Sequence, residues 1–257
     1  MTYFFEEFKK KSFLLLLIAT TILPACNSSD KISQNNLAET ATADTSNEDW
    51  ISLFDGKTFN GWHTYGMDSV GNAWKIEDSV IHLHPLMKNG WQSVGGGDLV
   101  TDEEYNNFDL KLEWKISEAG NSGIFFYVHE DTRKFKNPNQ SGLEMQINDN
   151  ENNKNGMIEK QRAGDLVGLL SSASAKVVKP AGQWNQVEIR SNRGKLNFFM
   201  NGQNVLSTYL WDDNWEELID NSRFKKISDY GTYKKGKIVL QDHGADVWFK
   251  NIRIRKL

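Results

Sequence analysis

Three polar side chains share one face of a strand that we predict within residues 142–151, sequence GLEMQINDNE. Because successive side chains of a strand point to opposite faces, Glu144, Gln146 and Asn148 lie together and three apolar residues lie on the other face. Such a polar row is either a solvated face of a sheet or the floor of a binding groove. The row supplies one carboxylate. Hydrolysis of a glycoside by paired carboxyls needs two of them, about 5 Å apart for retention or roughly 6.5 to 9.5 Å apart for inversion, so a second group must come from elsewhere in the chain.

Two further titratable residues are candidates for proton transfer. His243 lies in the segment Gln-Asp-His-Gly, residues 241–244, where a strand meets a turn, and an imidazole titrates near neutral pH. A histidine that caps a loop is the alternative interpretation. Asp149 could orient His243 or ligate a metal ion, or it could be a turn-forming residue that bonds its own backbone.

Other residues suit the binding of a sugar. Asn121 and Ser122 offer an amide and a hydroxyl beside Gly123, where the missing side chain allows a ligand to approach closely. A sugar ring can also lie on an indole face. We expect one or two of the four tryptophans in predicted loops and turns to contact sugar, with Trp91 and Trp211 as the candidates. The four are Trp62, Trp91, Trp211 and Trp215.

One histidine pair raises the question of a metal ion. His82 and His84 share a predicted strand face, but two ligands fall short of a metal site. Exposed histidines in a hairpin are therefore the favoured interpretation. The sequence requires no cofactor, and a divalent metal remains possible.

The chain begins with a predicted lipoprotein signal peptide, residues 1–25. Three lysines precede a short apolar run at residues 12–19, which is too short for a membrane span of about 20 residues. Leu-Pro-Ala-Cys26 follows and resembles the bacterial lipobox, so Cys26 is the predicted lipidation site, with a free packing thiol as the alternative. Residues 26–49 are rich in Ser, Thr, Asn and Ala and predict a flexible tether. We expect a protein of the bacterial envelope that is attached to the outer membrane through its lipid only.

Residues 50–257 predict one all-β domain that contains all nine tryptophans. Alternation with period two dominates, while helical spacing is confined to one short surface helix near residues 215–226. Short strands and Gly or Asn turns predict a two-sheet jelly-roll sandwich. The net charge of −4, with the acidic residues spread evenly, argues against nucleic acid as a partner.

Several blocks of the domain together resemble the family of 3-keto-disaccharide hydrolases. They are Leu53–Trp62, Asn121–Phe125, Glu144–Asp149, Lys179–Asn185, Asn201–Gly202, Leu240–Gly244 and Phe249–Ile252. The resemblance implies a concanavalin A-like jelly roll of the lectin and glucanase type. It also implies an enzyme of a glycan-degrading bacterium that cleaves glycosides already oxidised to a ketone at C3, so an oligosaccharide or oxidised disaccharide is the expected partner.

A C3 ketone explains how a single carboxylate suffices. The ketone acidifies the hydrogen on C2, a base removes it, the enolate expels the C1 aglycone, and water later adds across the double bond. By resemblance, Glu144 is the first choice for acid or base and His243 is the second. Gln241 lies in one matching block, and Tyr127 stands where many relatives carry arginine, so both join the predicted substrate contacts.

Two alternatives remain at this point. A non-catalytic carbohydrate-binding module of the same fold needs the groove but no titrating pair. An ordinary retaining glycosidase needs a second carboxylate about 5 Å from Glu144 and acts on unoxidised sugar.

Overall fold

The computed structural model describes residues 49–257. The predictions for the signal peptide, for Cys26 and for nearly all of the tether lie outside these residues. Among the described residues, no helix has the length and apolar character needed to cross a membrane.

The described residues form fifteen strands, one α-helix and three short 3-10 helices. In chain order the strands are β1 (Ile51–Ser52), β2 (Trp62–Thr64), β3 (Trp74–Glu77), β4 (Val80–Leu83), β5 (Lys88–Asn89), β6 (Gln92–Ser93), β7 (Leu99–Thr101), β8 (Phe108–Ile116), β9 (Asn121–Val128), β10 (Leu143–Asn148), β11 (Asn185–Asn192), β12 (Lys195–Met200), β13 (Gln203–Tyr209), β14 (Lys237–Leu240) and β15 (Val247–Lys256). The α-helix is α1 (Asp213–Asp220), and the 3-10 helices are Pro138–Gln140, Lys154–Met157 and Ser174–Lys176.

The strands form two antiparallel sheets and a separate small hairpin. The larger sheet has the order β13-β12-β11-β8-β15-β4-β3, with β1 paired to β15. The smaller sheet has the order β10-β9-β14-β7-β2, and β5 pairs with β6 in the hairpin. The two inner faces bury one apolar core, in which each fully buried Leu, Ile or Phe side chain contributes about 1.5–3 kcal/mol. The predicted two-sheet sandwich with one short helix is confirmed.

The alternation of side chains along each strand determines which residues reach that core. On β12, Leu196, Phe198 and Met200 are buried, while the residues between them are not. Strand β9 lies between β10 and β14 and is buried along its whole length. Its Phe125 belongs to a small apolar cluster on the outer face of the smaller sheet, with Val100, Val128 and Val239.

The turn residues act as the sequence predicts, but the helix is shifted. Asn201 and Gly202 both have positive φ, as a two-residue hairpin turn requires. Helix α1 begins at Asp213 because the Asp212 side chain accepts from Trp215 N at 2.8 Å. It ends at Asp220, six residues before the predicted end. There the hydroxyl of Ser222 donates to Ile219 O and satisfies a terminal carbonyl.

Candidate active site

The centre of the candidate site is Gly123, on the outer face of the smaller sheet. Gln146 on β10 is paired with Gly123, and on the other side Gln241 N donates to Gly123 O at 2.9 Å. A Cβ at Gly123 would lie 2.2 Å from Glu144 Oε1, so the Glu144 carboxyl occupies the space above this glycine. The β9 backbone at Gly123 thus forms the floor of the site, and any side chain at position 123 would displace the Glu144 carboxyl.

Two unpaired acceptors flank this floor. Gln146 donates its amide nitrogen to Gln161 O at 3.2 Å, yet its Oε1 and the Oε1 of Gln241 are buried without a hydrogen-bond partner among the described residues. Buried polar atoms normally have partners. Both oxygens can accept from the hydroxyl groups of a sugar. Asn121, two residues before Gly123 and on the same face, is also buried.

The Glu144 carboxyl is in an environment that favours its neutral form. The side chain is only 8% exposed. Burial raises the pKa of Glu144 to about 8, the positive charge of Arg223 opposes the shift, and the charge of Asp98 adds to it. At pH 7 this carboxyl is therefore mostly protonated and can donate a proton.

One wall of the site comes from segments far apart in the sequence. Residues 164–170 run along the free edge of β10, where Val167 N donates to Glu144 O at 3.0 Å. Gly168 leaves room for Arg223 and Phe224, since a Cβ there would lie 2.8 Å from each of them. Tyr230 stacks on Phe224 with ring centroids 4.0 Å apart, and burial together with the charge of Glu144 raises its pKa.

The opposite wall is held by two buried aspartates. Asp242 is fully buried and accepts from Ser93 N, Ser93 Oγ, Gly97 N and Gly244 N, which fastens the β5-β6 hairpin to the end of β14. Asp98 accepts from Asp242 N at 3.0 Å. Burial raises the pKa of Asp98 to about 8, a hydrogen bond from the Asp242 backbone lowers it, and the Asp242 charge raises it further. Asp98 is a site residue that sequence reasoning missed.

His243 and Trp91 meet at the rim of this wall. Their ring centroids are 5.6 Å apart. Burial lowers the pKa of His243, the charge of Lys88 acts in the same direction, and that of Asp242 opposes it. The imidazole is therefore neutral at pH 7 and can accept a proton. Trp91 is 39% exposed, which leaves indole surface for a sugar ring.

The structure places two other predicted residues in a structural role. With its nitrogen toward Gly120, the Asn148 amide donates to Gly120 O at 3.1 Å and accepts from Gly156 N at 2.9 Å. Asp149 accepts from Ala119 N at 2.8 Å and from Asn152 Nδ2 at 2.9 Å. Burial alone would raise the pKa of Asp149, but these hydrogen bonds lower it. Asp149 has the turn-forming arrangement, and the structure gives it no hydrogen bond to His243.

Three more predicted contacts lie away from this face. Ser122 points into the core by strand alternation and donates to Gln241 O at 2.8 Å. Tyr127 is also in the core, where its hydroxyl donates to Asn106 O at 2.6 Å. Trp211 donates to Gly231 O at 2.9 Å and lines a separate cavity with Asn106 and Arg193. The candidate site therefore omits Ser122, Tyr127 and Trp211. The other two tryptophans named in the sequence analysis, Trp62 and Trp215, are buried.

A β-bulge explains the position of Tyr127. Between Phe125 and Val128, β9 has three steps, while the paired segment of β14 between Val239 and Lys237 has two. Tyr127 takes up the difference with a φ of 58°. Alternation from Gly123 would have pointed its side chain outward, and the bulge turns it inward.

A second carboxylate lines a cavity elsewhere in the described domain. A cavity of about 660 Å³ lies on the outer face of the larger sheet and is lined by Trp50, Lys111, Glu188 and Arg253, among others. Glu188 there is paired with Lys111 at 3.3 Å and Arg190 at 2.6 Å, so its charge is neutralised by neighbours. We prefer the face around Gly123 because its unpartnered oxygens belong to neutral amides beside a glycine, and because the pKa of Glu144 is raised while that of His243 is lowered.

Asp242→Asn is expected to destabilise the fold by about 2–4 kcal/mol. The buried carboxylate accepts four hydrogen bonds, and an amide would direct its own N–H groups at some of those donors. Urea unfolding measures the change. The control is Glu104→Gln, which removes a partly exposed partner of the exposed Lys235 and should cost under about 1 kcal/mol. Equal effects for the two variants would contradict this role of Asp242.

Comparisons with known proteins agree with a carbohydrate-active site. The family model of the 3-keto-alpha-glucoside-1,2-lyase-like domain matches residues 49–255. A 3-keto-disaccharide hydrolase of Bacteroides thetaiotaomicron is 37% identical over 227 residues, which cover 81% of this chain and 78% of the relative. Two crystal structures of proteins described as glycosyl hydrolases, both from Parabacteroides distasonis, are similar. The first is 31% identical with a TM-score of 0.73, and the alignment covers 82% of this chain and 94% of the similar chain. The second is 27% identical with a TM-score of 0.61, and the alignment covers 81% of this chain and 99% of the similar chain.

Proposed function

The chain belongs to the family of the 3-keto-alpha-glucoside-1,2-lyase-like domain, and from this premise we propose that it cleaves 3-keto-glycosides at the outer face of its smaller sheet. The relative that is named a 3-keto-disaccharide hydrolase supports a carbohydrate hydrolase with such a substrate. The observation that carries the proposal is the Glu144 carboxyl, whose pKa is raised to about 8, lying above Gly123 between two buried amide oxygens that lack partners.

The proposed reaction has two balanced steps. In the first, a base takes the proton from C2, the C1–O bond breaks, and the leaving aglycone oxygen receives a proton from an acid. In the second, water supplies a hydroxyl to C1 and a proton to C2 of the unsaturated sugar. The sum is hydrolysis of the glycosidic bond. The C3 ketone makes the first step accessible because it delocalises the charge left on C2.

In this proposal the directions of the two pKa shifts support one acid and one base. Glu144, mostly protonated at pH 7, is the acid that protonates the aglycone oxygen. His243, neutral at pH 7, is the base that removes the C2 proton. When two groups contact one substrate, pKa shifts in opposite directions are the usual mark of such a division of roles.

The remaining residues position the sugar. Gln146 and Gln241 accept from sugar hydroxyls on either side of Gly123, and the Asn121 amide adds a donor on the same face. Trp91 supports the ring beside His243. Asp98 is a positioning residue, because it accepts from Asp242 N at 3.0 Å and so holds the segment that carries His243. Arg223 is exposed, and its positive charge acts on the Glu144 carboxyl.

Product release from matched substrates tests this function. The full chain carrying Cys26→Ser is incubated with a 3-keto-disaccharide and with the same disaccharide before oxidation. We expect monosaccharide release from the oxidised substrate only. Release from the unoxidised sugar would indicate an ordinary glycosidase. Binding of plain glycans without any turnover would indicate a carbohydrate-binding module.

We also propose that Cys26 is lipidated and attaches the protein to the outer membrane of a bacterium. The support is the sequence alone: a charged start, a short apolar run and Leu-Pro-Ala-Cys26, followed by a polar segment. Intact-mass measurement of the membrane fraction should find acyl chains on Cys26, and Cys26→Ser should move the protein to the soluble fraction. An unmodified Cys26 in the mature protein would contradict the anchor.

A further inference from the structure

Three potential metal ligands meet on the larger sheet, apart from the candidate active site. His82 lies on β4, His84 follows that strand, and Asp246 lies just before β15. One ligand atom from each lies within 4.8 Å of the other two. The sequence pattern places the two histidines on one face, and the antiparallel pairing of β4 with β15 adds the carboxylate.

The distances suit a small ion with tetrahedral geometry. His82 Nε2 lies 2.8 Å from Asp246 Oδ1, and His84 Nδ1 lies 3.4 Å from the same oxygen. In a tetrahedral zinc site, bonds of about 2.0–2.1 Å put neighbouring ligand atoms roughly 3.3 Å apart. The three atoms are therefore close enough together to bind the same ion. Because His84 is 49% exposed, water can complete the coordination.

A second carboxylate fixes His82 in the orientation that a metal requires. Glu77 Oε2 lies 3.0 Å from His82 Nδ1. A proton on Nδ1 that is donated to Glu77 leaves the lone pair of Nε2 directed at the point where the ligands converge. Carboxylates in this role are common behind metal-bound histidines. The ring is held in place by stacking on Trp248, with centroids 4.5 Å apart and planes 18° from parallel.

We propose that His82, His84 and Asp246 bind one divalent transition-metal ion of the Zn²⁺ class, and that Glu77 orients the His82 ring for this role. Two imidazoles and one carboxylate suit Zn²⁺, Ni²⁺, Co²⁺ or Cu²⁺, whereas Ca²⁺ and Mg²⁺ prefer oxygen ligands only. The ion links the end of β4 to residues 241–246. That connection carries Gln241 and His243, so metal binding stabilises the segment that supplies one side of the candidate active site.

The competing interpretation is an ion pair without metal, in which His82 carries two protons and binds Glu77 and Asp246 together. The two interpretations differ in His84. An ion pair of His82 needs no second imidazole, whereas a metal site loses a ligand when His84 is removed.

Binding of Zn²⁺ to the full chain, measured by competition with a chromophoric chelator, tests the proposal. We expect one Zn²⁺ per chain, at least about tenfold weaker binding by His84→Ala and Asp246→Asn, and about tenfold weaker binding by Glu77→Gln. Co²⁺ should give a visible absorption band in the wild type that His84→Ala loses. All variants keep Cys26, so any contribution of its thiol cancels in the comparison.

The matched control is His63→Gln. His63 also lies between two carboxylates, 2.6 Å from Asp102 and 2.9 Å from Glu130, but on opposite ring nitrogens, so these groups cannot converge on one ion. This variant should bind Zn²⁺ like the wild type. Wild-type binding no tighter than that of His84→Ala, or a preference for Ca²⁺ or Mg²⁺ over Zn²⁺, would overturn the proposal. Thermal unfolding with and without Zn²⁺ verifies that each variant is folded, and His84 is half-exposed, so its removal leaves the core intact.

Discussion

Replacing Glu144 by glutamine is expected to lower kcat on a 3-keto-glycoside by about 10²–10⁴-fold, the usual contribution of a positioned general acid. Glutamine keeps the shape of the side chain above Gly123 but has no proton to give to the aglycone oxygen. Initial rates at saturating substrate measure the effect. The matched control is Glu188→Gln, which removes a carboxyl whose pKa is also raised by burial but which lies on the other sheet. Its kcat should equal that of the wild type.

The same variant should change how stability depends on pH. The pKa of Glu144 is about 8 in the folded protein, against an ordinary value of 4.5. Between these values the folded state holds a proton that the unfolded state has lost, so Glu144 makes the fold less stable as pH rises from about 4.5 through 8. Glu144→Gln removes this loss, and its thermal midpoint at pH 8 should exceed that of the wild type. If Glu144→Gln has a lowered kcat but the same pH dependence of stability as the wild type, the result would contradict a raised pKa of Glu144. A variant with nearly wild-type kcat would remove Glu144 from the mechanism.

Replacing His243 by alanine is expected to lower kcat by a similar factor of about 10²–10⁴. The wild-type rate should rise with pH through the lowered pKa of His243, below 6.5, as the imidazole becomes a base. It should fall again near pH 8 as Glu144 loses its proton. In His243→Ala the rise on the acid side should disappear, while the fall near pH 8 remains.

Added imidazole separates chemistry from folding in this variant. His243 is partly exposed beside Trp91, so a free imidazole can reach the position of the missing ring and should restore part of the rate. His129→Gln, which removes an imidazole stacked on Tyr233 elsewhere in the fold, should have the wild-type rate and pH profile. If the rate of His243→Ala still rises with pH on the acid side as in the wild type, the base is another group.

Local sequence pattern predicts the sheets and the polar face well because alternation is a property of each strand alone. Glu144, Gln146 and the core residues between them follow from period two. The same rule places Ser122 inward once Gly123 faces the site, so its assignment to sugar binding conflicts with strand geometry. Tyr127 is different, because its inward direction comes from a bulge that depends on the pairing with β14.

The walls of the site depend on long-range packing that one strand cannot reveal. Asp98 comes from the residue before β7, while Arg223 and Tyr230 come from the segment after α1, far away in the sequence. A Gly-Gly-Gly-Asp sequence at residues 95–98 was the only local signal for Asp98. Likewise, the pair His82 and His84 was visible in the sequence, but Asp246 joins them only through the pairing of β15 with β4.

The isotope effect at C2 tests the central claim most directly. A 3-keto-glycoside carrying deuterium at C2 competes with the unlabelled substrate for the wild-type enzyme, and the ratio of the two kcat/KM values is measured from the remaining substrate. Removal of the C2 hydrogen in the bond-breaking step predicts that the unlabelled substrate is consumed faster, by a normal primary isotope effect. Equal consumption of the two substrates, with the glycosidic bond still cleaved, would contradict elimination at this site.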